Sequence, residues 1–434
     1  MYGLDQKSSP TERKRFDGHM IEIISIGSEL LTGQTINTSA SVIATLLLQE
    51  GYPVKQIVTV PDEQDALKEA VMRAMKRVPF VVMTGGLGPT EDDITRQTLA
   101  ELFNRPLKKD DALATDLMRR YGTGLKTLED QATVIEGATL MPNPFGTAPG
   151  FLLRKGNSTV LAFPGVPHQM REILEKHGIP YLSHVASKAY FQRSLFLFSI
   201  PEKSVDLYLQ HLKKKYPHLE YGVCPSRGVL SIYLKVKASS KHRAHAQLTP
   251  ILSDLRARYY QKMFSETDRR IEYAIHKQFL KHHLKLACAE SCTGGRISSR
   301  LTQISGSSHY FLGGVVAYSD KMKQTVLKVR PKTLSKYGAV SRETVIEMVR
   351  GVFALSKEAD YAIAVSGIVG PEGGTRAKPV GTIWGSIGTK KGDVFTALIP
   401  SREEQPREVL IDLSATYLLS HLWRYVQFQV PPFS

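Results

Sequence analysis

Short apolar strands alternate with helical patterns from residue 21 onward, and this alternation restricts the chain to a parallel α/β fold. Residues 21–26, 54–60 and 80–83 are predicted strands. Apolar residues at helical spacing separate them, in one helix that begins near Asn37 and in a second that Asp62 is predicted to cap. A parallel sheet of this kind is covered on both faces and binds ligands at the carboxyl ends of its strands.

A glycine-rich loop follows the third strand, with the sequence Thr84-Gly85-Gly86-Leu87-Gly88-Pro89-Thr90-Glu91-Asp92-Asp93. Its glycines let the backbone approach a phosphate group, and the N-terminus of the next helix favours negative charge. The two adjacent carboxylates would oppose an anion unless a divalent cation lay between them. The alternative is that Asp92 and Asp93 only cap the helix.

The second strong pattern is the turn of residues 289–296, Ala-Glu-Ser-Cys-Thr-Gly-Gly-Arg. A strand at residues 286–289 precedes it and a helical pattern follows, so Ser291 is predicted to lie at the mouth of a sheet beside free helix N–H groups. A predicted strand at residues 311–318 ends in Tyr318, and Lys323 comes just beyond. A lysine with a lowered pKa can accept the serine proton.

Other interpretations of this turn remain open. It could bind a phosphate group, or its two glycines could simply allow close packing of strand and helix. Cys292 is the rival nucleophile, although its side chain should leave the turn on the side opposite to that of Ser291. A third glycine-rich loop, residues 366–382, favours a catalytic site because an ordinary connection would not need five glycines and two prolines between residues 367 and 381.

Residues 193–259 predict a small α+β module of a strand, a helix, a hairpin and a long helix. The module contains many lysines and arginines, and the chain has a net charge of +16. A nucleic-acid-binding KH module needs a Gly-x-x-Gly loop, which is absent from this segment of the sequence, so the basic residues are interpreted as a solvated face. The three cysteines, Cys224, Cys288 and Cys292, do not have the spacing of a metal site.

The three C-terminal segments together resemble the C-terminal domain of the competence/damage-inducible protein A (CinA) family, over about residues 268–427. Residues 21–183 resemble the molybdopterin-binding-type domain at the N-terminus of the same family, through residues 27–31, the loop described above, residues 146–150 and residues 164–167. The middle module resembles the family's KH-like domain. The expected fold is therefore an N-terminal three-layer α/β/α domain, a small α+β domain and a C-terminal α/β domain.

The C-terminal resemblance implies a nicotinamide-nucleotide amidase of pyridine nucleotide salvage, which turns nicotinamide mononucleotide into nicotinate mononucleotide and ammonia without a cofactor. The family's catalytic serine, tyrosine and lysine match Ser291, Tyr318 and Lys323. The family usually has Asn where this chain has Asp320, and the added charge is expected to raise the lysine pKa. The predicted substrate-binding residues are Glu290, Thr293, Gly294, Gly295, Arg296, Gly367, Gly370, Gly373, Gly374, Lys378 and Thr382.

The N-terminal resemblance implies a metal-dependent ADP-ribose pyrophosphatase or, as in cofactor-biosynthesis relatives, the binding of a pterin phosphate. The predicted nucleotide pocket consists of Gly27, Glu29, Thr84, Gly85, Gly86, Gly88 and Thr90, with a divalent metal ion at Asp62, Asp92 and Asp93. The family usually has a small residue and a glutamate after residues 164–167, whereas this chain has His168-Gln169. That loss of a carboxylate favours a pocket that binds without hydrolysing.

These observations predict a disordered extension at residues 1–19 and domains at residues 20–183, 184–263 and 264–434. We expect a cytoplasmic homodimer that binds nucleotides and neither nucleic acid nor membrane. The alternative function is a non-catalytic nucleotide- or pterin-phosphate-binding protein linked to competence or the DNA damage response.

Overall fold

The computed structural model describes residues 20–122, 128–186, 190–238 and 240–434. These residues form two compact units, one of residues up to Gln192 together with Lys235–Gln247, the other of Arg193–Leu234 together with Leu248–Ser434. Strands β9 (Tyr190–Phe198) and β11 (Val229–Lys237) and helix α10 (Lys241–Tyr259) each contribute to both units. The division into three domains at the predicted boundaries stays a prediction.

The first unit is built on a six-stranded mixed sheet with strand order β2-β1-β3-β8-β7-β6. Its strands are β1 (Ile21–Ile26), β2 (Val54–Val60), β3 (Phe80–Thr84), β6 (Thr139–Met141), β7 (Gly150–Lys155) and β8 (Ser158–Phe163), and β4 (Leu107–Lys109) pairs separately with β5 (Thr133–Ile135). The helices are α1 (Ser28–Leu31), α2 (Thr38–Gln49), α3 (Gln64–Arg77), α4 (Thr95–Phe103), α5 (Asp111–Tyr121), α6 (Leu128–Gln131), α7 (Pro167–Ile173) and α8 (Ile179–Val185), with a π-helical segment at Leu174–Gly178.

Successive side chains along the central strands point to alternate faces of the sheet, and this divides the core of the unit into two layers. In β8, Val160 and Ala162 belong to one apolar cluster, while Leu161 and Phe163 belong to another. Because successive side chains of a strand point to opposite faces, both faces of the sheet are buried. The four strands β2, β1, β3 and β8 are parallel to one another, which confirms the predicted three-layer α/β architecture.

The structure corrects two details of this region. The N-cap of α3 is Glu63 and not Asp62, because the Asp62 carboxylate accepts a hydrogen bond from the backbone N–H of Ser28, at 2.7 Å. Helix α4 begins at Thr95, so neither Asp92 nor Asp93 caps it. Asp93 Oδ2 instead accepts from the backbone and hydroxyl of Thr90, at 3.0 and 2.6 Å, and closes the turn before the helix.

The middle segment forms a four-stranded sheet with order β10-β11-β9-β12, which fits the predicted α+β pattern. Its remaining elements are α9 (Glu202–Lys215), β10 (Leu219–Ser226) and β12 (Met263–Ser265), and a tight turn joins β10 to β11.

The C-terminal part of the second unit has a five-stranded sheet with order β14-β13-β15-β16-β17. Its strands are β13 (Leu286–Glu290), β14 (Phe311–Val316), β15 (Tyr361–Gly367), β16 (Ile383–Thr389) and β17 (Val394–Leu398). Its helices are α11 (Ile271–Lys281), α12 (Arg296–Thr302), α13 (Asp320–Thr325), α14 (Pro331–Tyr337), α15 (Arg342–Leu355) and α16 (Arg407–Phe428), with a 3₁₀ turn at Ser307–His309.

Strand β13 lies between β14 and β15 and is parallel to both. In β15, Ile363 and Val365 face the core that contains α16, and Ala362 and Ala364 face the core that contains α15. The carboxyl ends of β13, β14 and β15 therefore meet at one edge between two covering layers, where the turn with Ser291 lies. No helix within the described ranges is both long and apolar enough to cross a membrane.

Candidate active site

Ser291 directly follows β13, at the start of a glycine turn that leads into α12. The backbone N–H of Ser291 donates to Val365 O at 3.0 Å, which ties the turn to the end of β15. Gly294 and Gly295 have φ values of +57° and +96°, in the region that other L-residues rarely adopt. This turn leaves Ser291 only 7% exposed, at the edge where the three parallel strands end.

Glu290 holds this turn in place. Its carboxylate is 0% exposed, and its two oxygens accept five hydrogen bonds from the turn and the start of α12, besides one from Cys288 Sγ at 3.7 Å. The five come from Thr293 Oγ1 (2.7 Å), Gly295 N (3.1 Å), Ile297 N (3.0 Å), Ser298 N (2.9 Å) and Ser298 Oγ (2.7 Å). The prediction that Glu290 contacts the substrate is therefore corrected, because its acceptors are already used by the first turn of α12.

Several of the backbone N–H groups near Ser291 already have acceptors within the protein. The N–H of Gly294 bonds to Ser291 O at 3.1 Å, and that of Gly295 bonds to Glu290. Within the described ranges, the backbone N–H groups of Cys292 and Thr293 have no acceptor. These two donors, one of them directly after the serine, are the ones available to a developing negative charge.

Lys323 lies against Ser291 although 32 residues separate them. Its side chain is buried, with the residue 1% exposed, and its Nζ donates to Ser291 Oγ at 3.0 Å, to Ala317 O at 3.0 Å and to Tyr318 O at 3.1 Å. Strand β14 ends at Val316, earlier than predicted, and these two carbonyls beyond it point to the lysine.

Burial lowers the pKa of Lys323, and the negative charge of Asp320 opposes that shift without cancelling it. A neutral amine has two N–H donors and one lone pair. The two carbonyls can take both donors, which leaves the lone pair directed at the Ser291 hydroxyl. The arrangement therefore suits a lysine that accepts the serine proton.

The Tyr318 side chain takes a different place from the one expected. Its residue is 60% exposed, and its hydroxyl accepts a hydrogen bond from Arg407 Nη2 at 3.0 Å. Tyr318 contacts Lys323 through its backbone carbonyl instead. Arg407, at the start of α16, also donates to Gly370 O at 2.6 Å. Sequence reasoning missed this arginine because it lies about 90 residues from the tyrosine and in no glycine motif.

The glycine loop after β15 is held by its own backbone and by Lys378. Ile368 N bonds to Thr382 O and Gly381 N to Ile368 O, at 2.9 and 2.8 Å. Lys378 Nζ donates to Tyr337 O and Val340 O, at 2.6 and 2.7 Å. This lysine was predicted to bind the substrate, but two of its donors instead connect the loop to the end of α14.

Three predicted glycines shape the same loop. A side chain at Gly367 would meet Ile383 at 2.7 Å, and one at Gly374 would meet the backbone of Val380 at 2.9 Å. Gly373 has a φ of +89° and is exposed. Thr382 is half-buried, and its hydroxyl donates to Pro379 O at 2.7 Å.

Arg296 is the first residue of α12, and its side chain is half-exposed. Its Nε lies 3.3 Å from Asp412 Oδ1, whereas its two Nη groups have no partner in the part of the chain that the structure describes. They are the donors of this site best suited to a phosphate group.

The rival nucleophile Cys292 is buried, and burial raises the pKa of its thiol to about 12. Because the thiolate is the reactive form, this environment keeps the cysteine unreactive.

The N-terminal unit has its own cavity, of about 640 Å³, at the carboxyl ends of β1, β3 and β8. It includes five of the seven predicted nucleotide-pocket residues, with the backbone N–H groups of Gly86, Leu87 and Gly88 unbonded within the described ranges. Thr84 is buried beneath the loop and donates to Pro164 O, and Thr90 is engaged by Asp93. The lining residues are Ile26, Gly27, Glu29, Asp62, Gly85, Gly86, Leu87, Gly88, Asp92, Asp93, Tyr121, Gly146, Thr147, Ala148, Pro164, Gly165, Val166 and Gln169.

Asp62, Asp92 and Asp93 all line this cavity. In the described part of the chain, however, no three His, Cys, Asp or Glu side chains are placed to hold a metal ion together. Gln169, at the position of the family glutamate, accepts a hydrogen bond from Asn143 Nδ2 at 3.0 Å and is neutral. Asp62 and Asp93 each use one carboxylate oxygen within the protein and keep the other free. They can therefore hold a divalent cation only together with oxygens from a ligand.

Replacing Glu290 by Gln should destabilise the protein by about 2 kcal/mol or more, because the new amide group would present donors to the N–H groups of α12. Urea unfolding followed by circular dichroism measures the change. Glu358→Gln, at an exposed position, is the matched control and should change the free energy of unfolding by less than about 0.5 kcal/mol. Equal stability of the two variants would contradict the role given to Glu290.

Two regions of the chain match models of known protein families. Residues 268–425 match the family model described as the CinA C-terminal domain, and residues 22–184 match the one described as a probable molybdopterin binding domain. A putative competence-damage inducible protein of Acetivibrio thermocellus is 34% identical over 86% of this chain and 91% of its own length. A CinA-like protein of Thermotoga neapolitana is 36% identical over 83% and 88%. The crystal structure of CinA from Thermoplasma acidophilum, of unknown function, is 32% identical, covers 36% of this chain and 94% of its own, and has a TM-score of 0.35. The chain belongs to the CinA family.

Proposed function

We propose that the C-terminal domain hydrolyses the amide of nicotinamide mononucleotide, with Ser291 as nucleophile and Lys323 as base. The observation that carries this proposal is the buried Lys323 Nζ, 3.0 Å from Ser291 Oγ, with two backbone carbonyls as its other partners. Serine–lysine pairs perform acyl transfer on unrelated folds. The identity of the substrate rests on the family resemblance.

The reaction begins when Lys323 takes the Ser291 proton and Oγ attacks the carboxamide carbon. The negative charge that forms on the carboxamide oxygen is stabilised by the N–H groups of Cys292 and Thr293. Lys323 then gives its proton to the leaving nitrogen, which departs as ammonia, and an acyl-enzyme remains. A water molecule, deprotonated by the neutral lysine, attacks this ester and releases nicotinate mononucleotide while the proton returns to Ser291.

The remaining residues of the site would bind the rest of the nucleotide. The loop from Gly370 to Gly374 and Thr382 would line the pocket, and the free Nη groups of Arg296 would take the phosphate. Arg407 would keep the Tyr318 ring and this loop together, since it bonds to both.

Ammonia release from nicotinamide mononucleotide by the purified protein is the direct measurement. Ser291→Ala and Lys323→Met should each lower kcat at least about 10³-fold, because they remove the nucleophile and its base. Lys321→Met is the matched control, since Lys321 is exposed two residues away on the same helix, and it should retain activity.

If the parent protein bound the nucleotide without releasing ammonia, the amidase proposal would be wrong and the alternative of a binding protein would stand. Full activity in Lys323→Met would show that Lys323 is not the base, although the protein would still be an amidase.

The pH dependence of kcat/KM should show an acidic limb set by Lys323, because the protonated lysine cannot accept the serine proton. The Asp320 charge raises the pKa of this lysine, so Asp320→Asn should move the acidic limb to lower pH. Glu403→Gln, which removes an exposed charge elsewhere, should leave the limb in place. A shift of the limb to higher pH in Asp320→Asn would contradict this assignment.

For the N-terminal cavity, we propose a phosphorylated nucleotide as ligand, with ADP-ribose as the compound that the family resemblance implies. The free N–H groups of Gly86, Leu87 and Gly88 support a phosphate position, and the carboxylates support ribose hydroxyls. Asp62 and Asp93 would hold a divalent cation jointly with ligand phosphates. A cation bound in this way acts as a Lewis acid on the phosphate oxygens.

Val166→Trp should abolish ADP-ribose binding, because Val166 is 44% exposed and lines the cavity. Isothermal titration calorimetry with and without Mg²⁺ measures the binding, and release of AMP measures hydrolysis. Ile57→Trp is the matched control, at an apolar position 46% exposed and outside the cavity, and it should bind like the parent. Unchanged binding in Val166→Trp would place the ligand elsewhere.

A further inference from the structure

Asp412 is a buried carboxylate that two arginines share. It lies on α16 with its side chain 5% exposed, and Arg296 Nε approaches its Oδ1 at 3.3 Å. On the other side, Arg227 Nη1 lies 2.8 Å from Oδ2, without the alignment of a hydrogen bond. Arg227 belongs to the turn between β10 and β11, far in sequence from the candidate amidase site.

The turn that carries Arg227 is seated firmly on α16. Arg227 and Gly228 have φ values of +51° and +84°, as a tight turn requires. A side chain at Gly228 would meet Thr416 at 3.1 Å, so the backbone passes close to the helix. Arg269 Nη2 donates to Ser226 O at 3.2 Å and holds the turn from its other side. Arg227 is therefore held at Asp412 by the backbone as well as by charge.

Arg227 changes how strongly Asp412 holds the side chain of Arg296. A buried carboxylate with a single cation would attract that cation strongly, because the interior screens charge poorly. With Arg227 sharing the charge, Asp412 engages only the Nε of Arg296. The two Nη groups of Arg296 then stay available at the start of α12, five residues after Ser291.

We propose that Arg227 is a positioning residue for the substrate phosphate: by sharing Asp412, it leaves the Arg296 guanidinium free to bind a phosphate monoester. This inference rests on the proposed amidase function. It assigns a specificity role to the turn between β10 and β11, which lies outside residues 268–425, where the C-terminal family model matches. Removing Arg227 should weaken binding of the phosphorylated substrate and leave the chemical step unchanged.

The test compares nicotinamide mononucleotide with nicotinamide riboside, which lacks the phosphate, on the full-length protein. Arg227→Ala should raise the Kd and the KM for the mononucleotide about fivefold, which corresponds to about 1 kcal/mol, with kcat within twofold of the parent. The Kd for the riboside should not change. Lys213→Ala is the control, because it removes an exposed positive charge from α9, and it should leave both Kd values unchanged.

A double-mutant cycle separates positioning from a general structural effect. In an Asp412→Asn background the shared charge is gone, so Arg227→Ala should have no further effect on the Kd for the mononucleotide. An equal loss for mononucleotide and riboside, or no change in either Kd, would overturn the inference.

Kd values measured by calorimetry distinguish a failure of the amidase proposal from a failure of the role proposed for Arg227. If the parent binds the mononucleotide but releases no ammonia, the amidase function fails while the Arg227 effect on Kd is still measured. If the parent does not bind the mononucleotide at all, both proposals are overturned.

Discussion

The buried carboxylate of Glu290 is the interaction on which the C-terminal site depends. A helix N-terminus that opens toward a ligand normally offers its free N–H groups to that ligand, but here Glu290 takes those of Gly295, Ile297 and Ser298. The partial positive charge at the N-terminus of α12 is thereby balanced by a carboxylate inside the protein. The turn is fixed on both sides of Ser291, and among the described residues the N–H groups of Cys292 and Thr293 in this turn are left without an acceptor.

Burial of the Lys323 side chain is what suits it to act as a base. An ammonium group in this place has three acceptors, so the charged form is well solvated by the protein, yet desolvation still lowers the lysine pKa. The two carbonyls that follow β14 fix the direction of the amine. The serine hydroxyl is thus the only partner that can exchange roles with the lysine, from acceptor to donor, as the proton moves.

The sequence predicted the parts of this architecture that depend on local periodicity. The strand before Ser291, the glycine turn and the approach of Lys323 follow from apolar runs and from parallel strands that end at one edge. The sequence did not show that Glu290 points into α12, since a strand's last residue can face either side. It also did not show Arg407, Asp412 or Arg227, because a contact between distant segments leaves no periodic signal. For the same reason, the capping role expected of Asp62 was wrong, since a backbone N–H over 30 residues away takes its carboxylate.

Helix α16 connects these distant parts into one site. Its first residue, Arg407, bonds both to Gly370 in the glycine loop and to the Tyr318 hydroxyl. Little more than one turn later, Asp412 engages Arg296 beside the nucleophile turn. The glycine loop, the segment after β14 and the start of α12 are therefore positioned by a single rigid helix whose later turns are buried in the core. A displacement of α16 would move the candidate phosphate donor and the loop together, so the order of the site depends on how well this one helix packs.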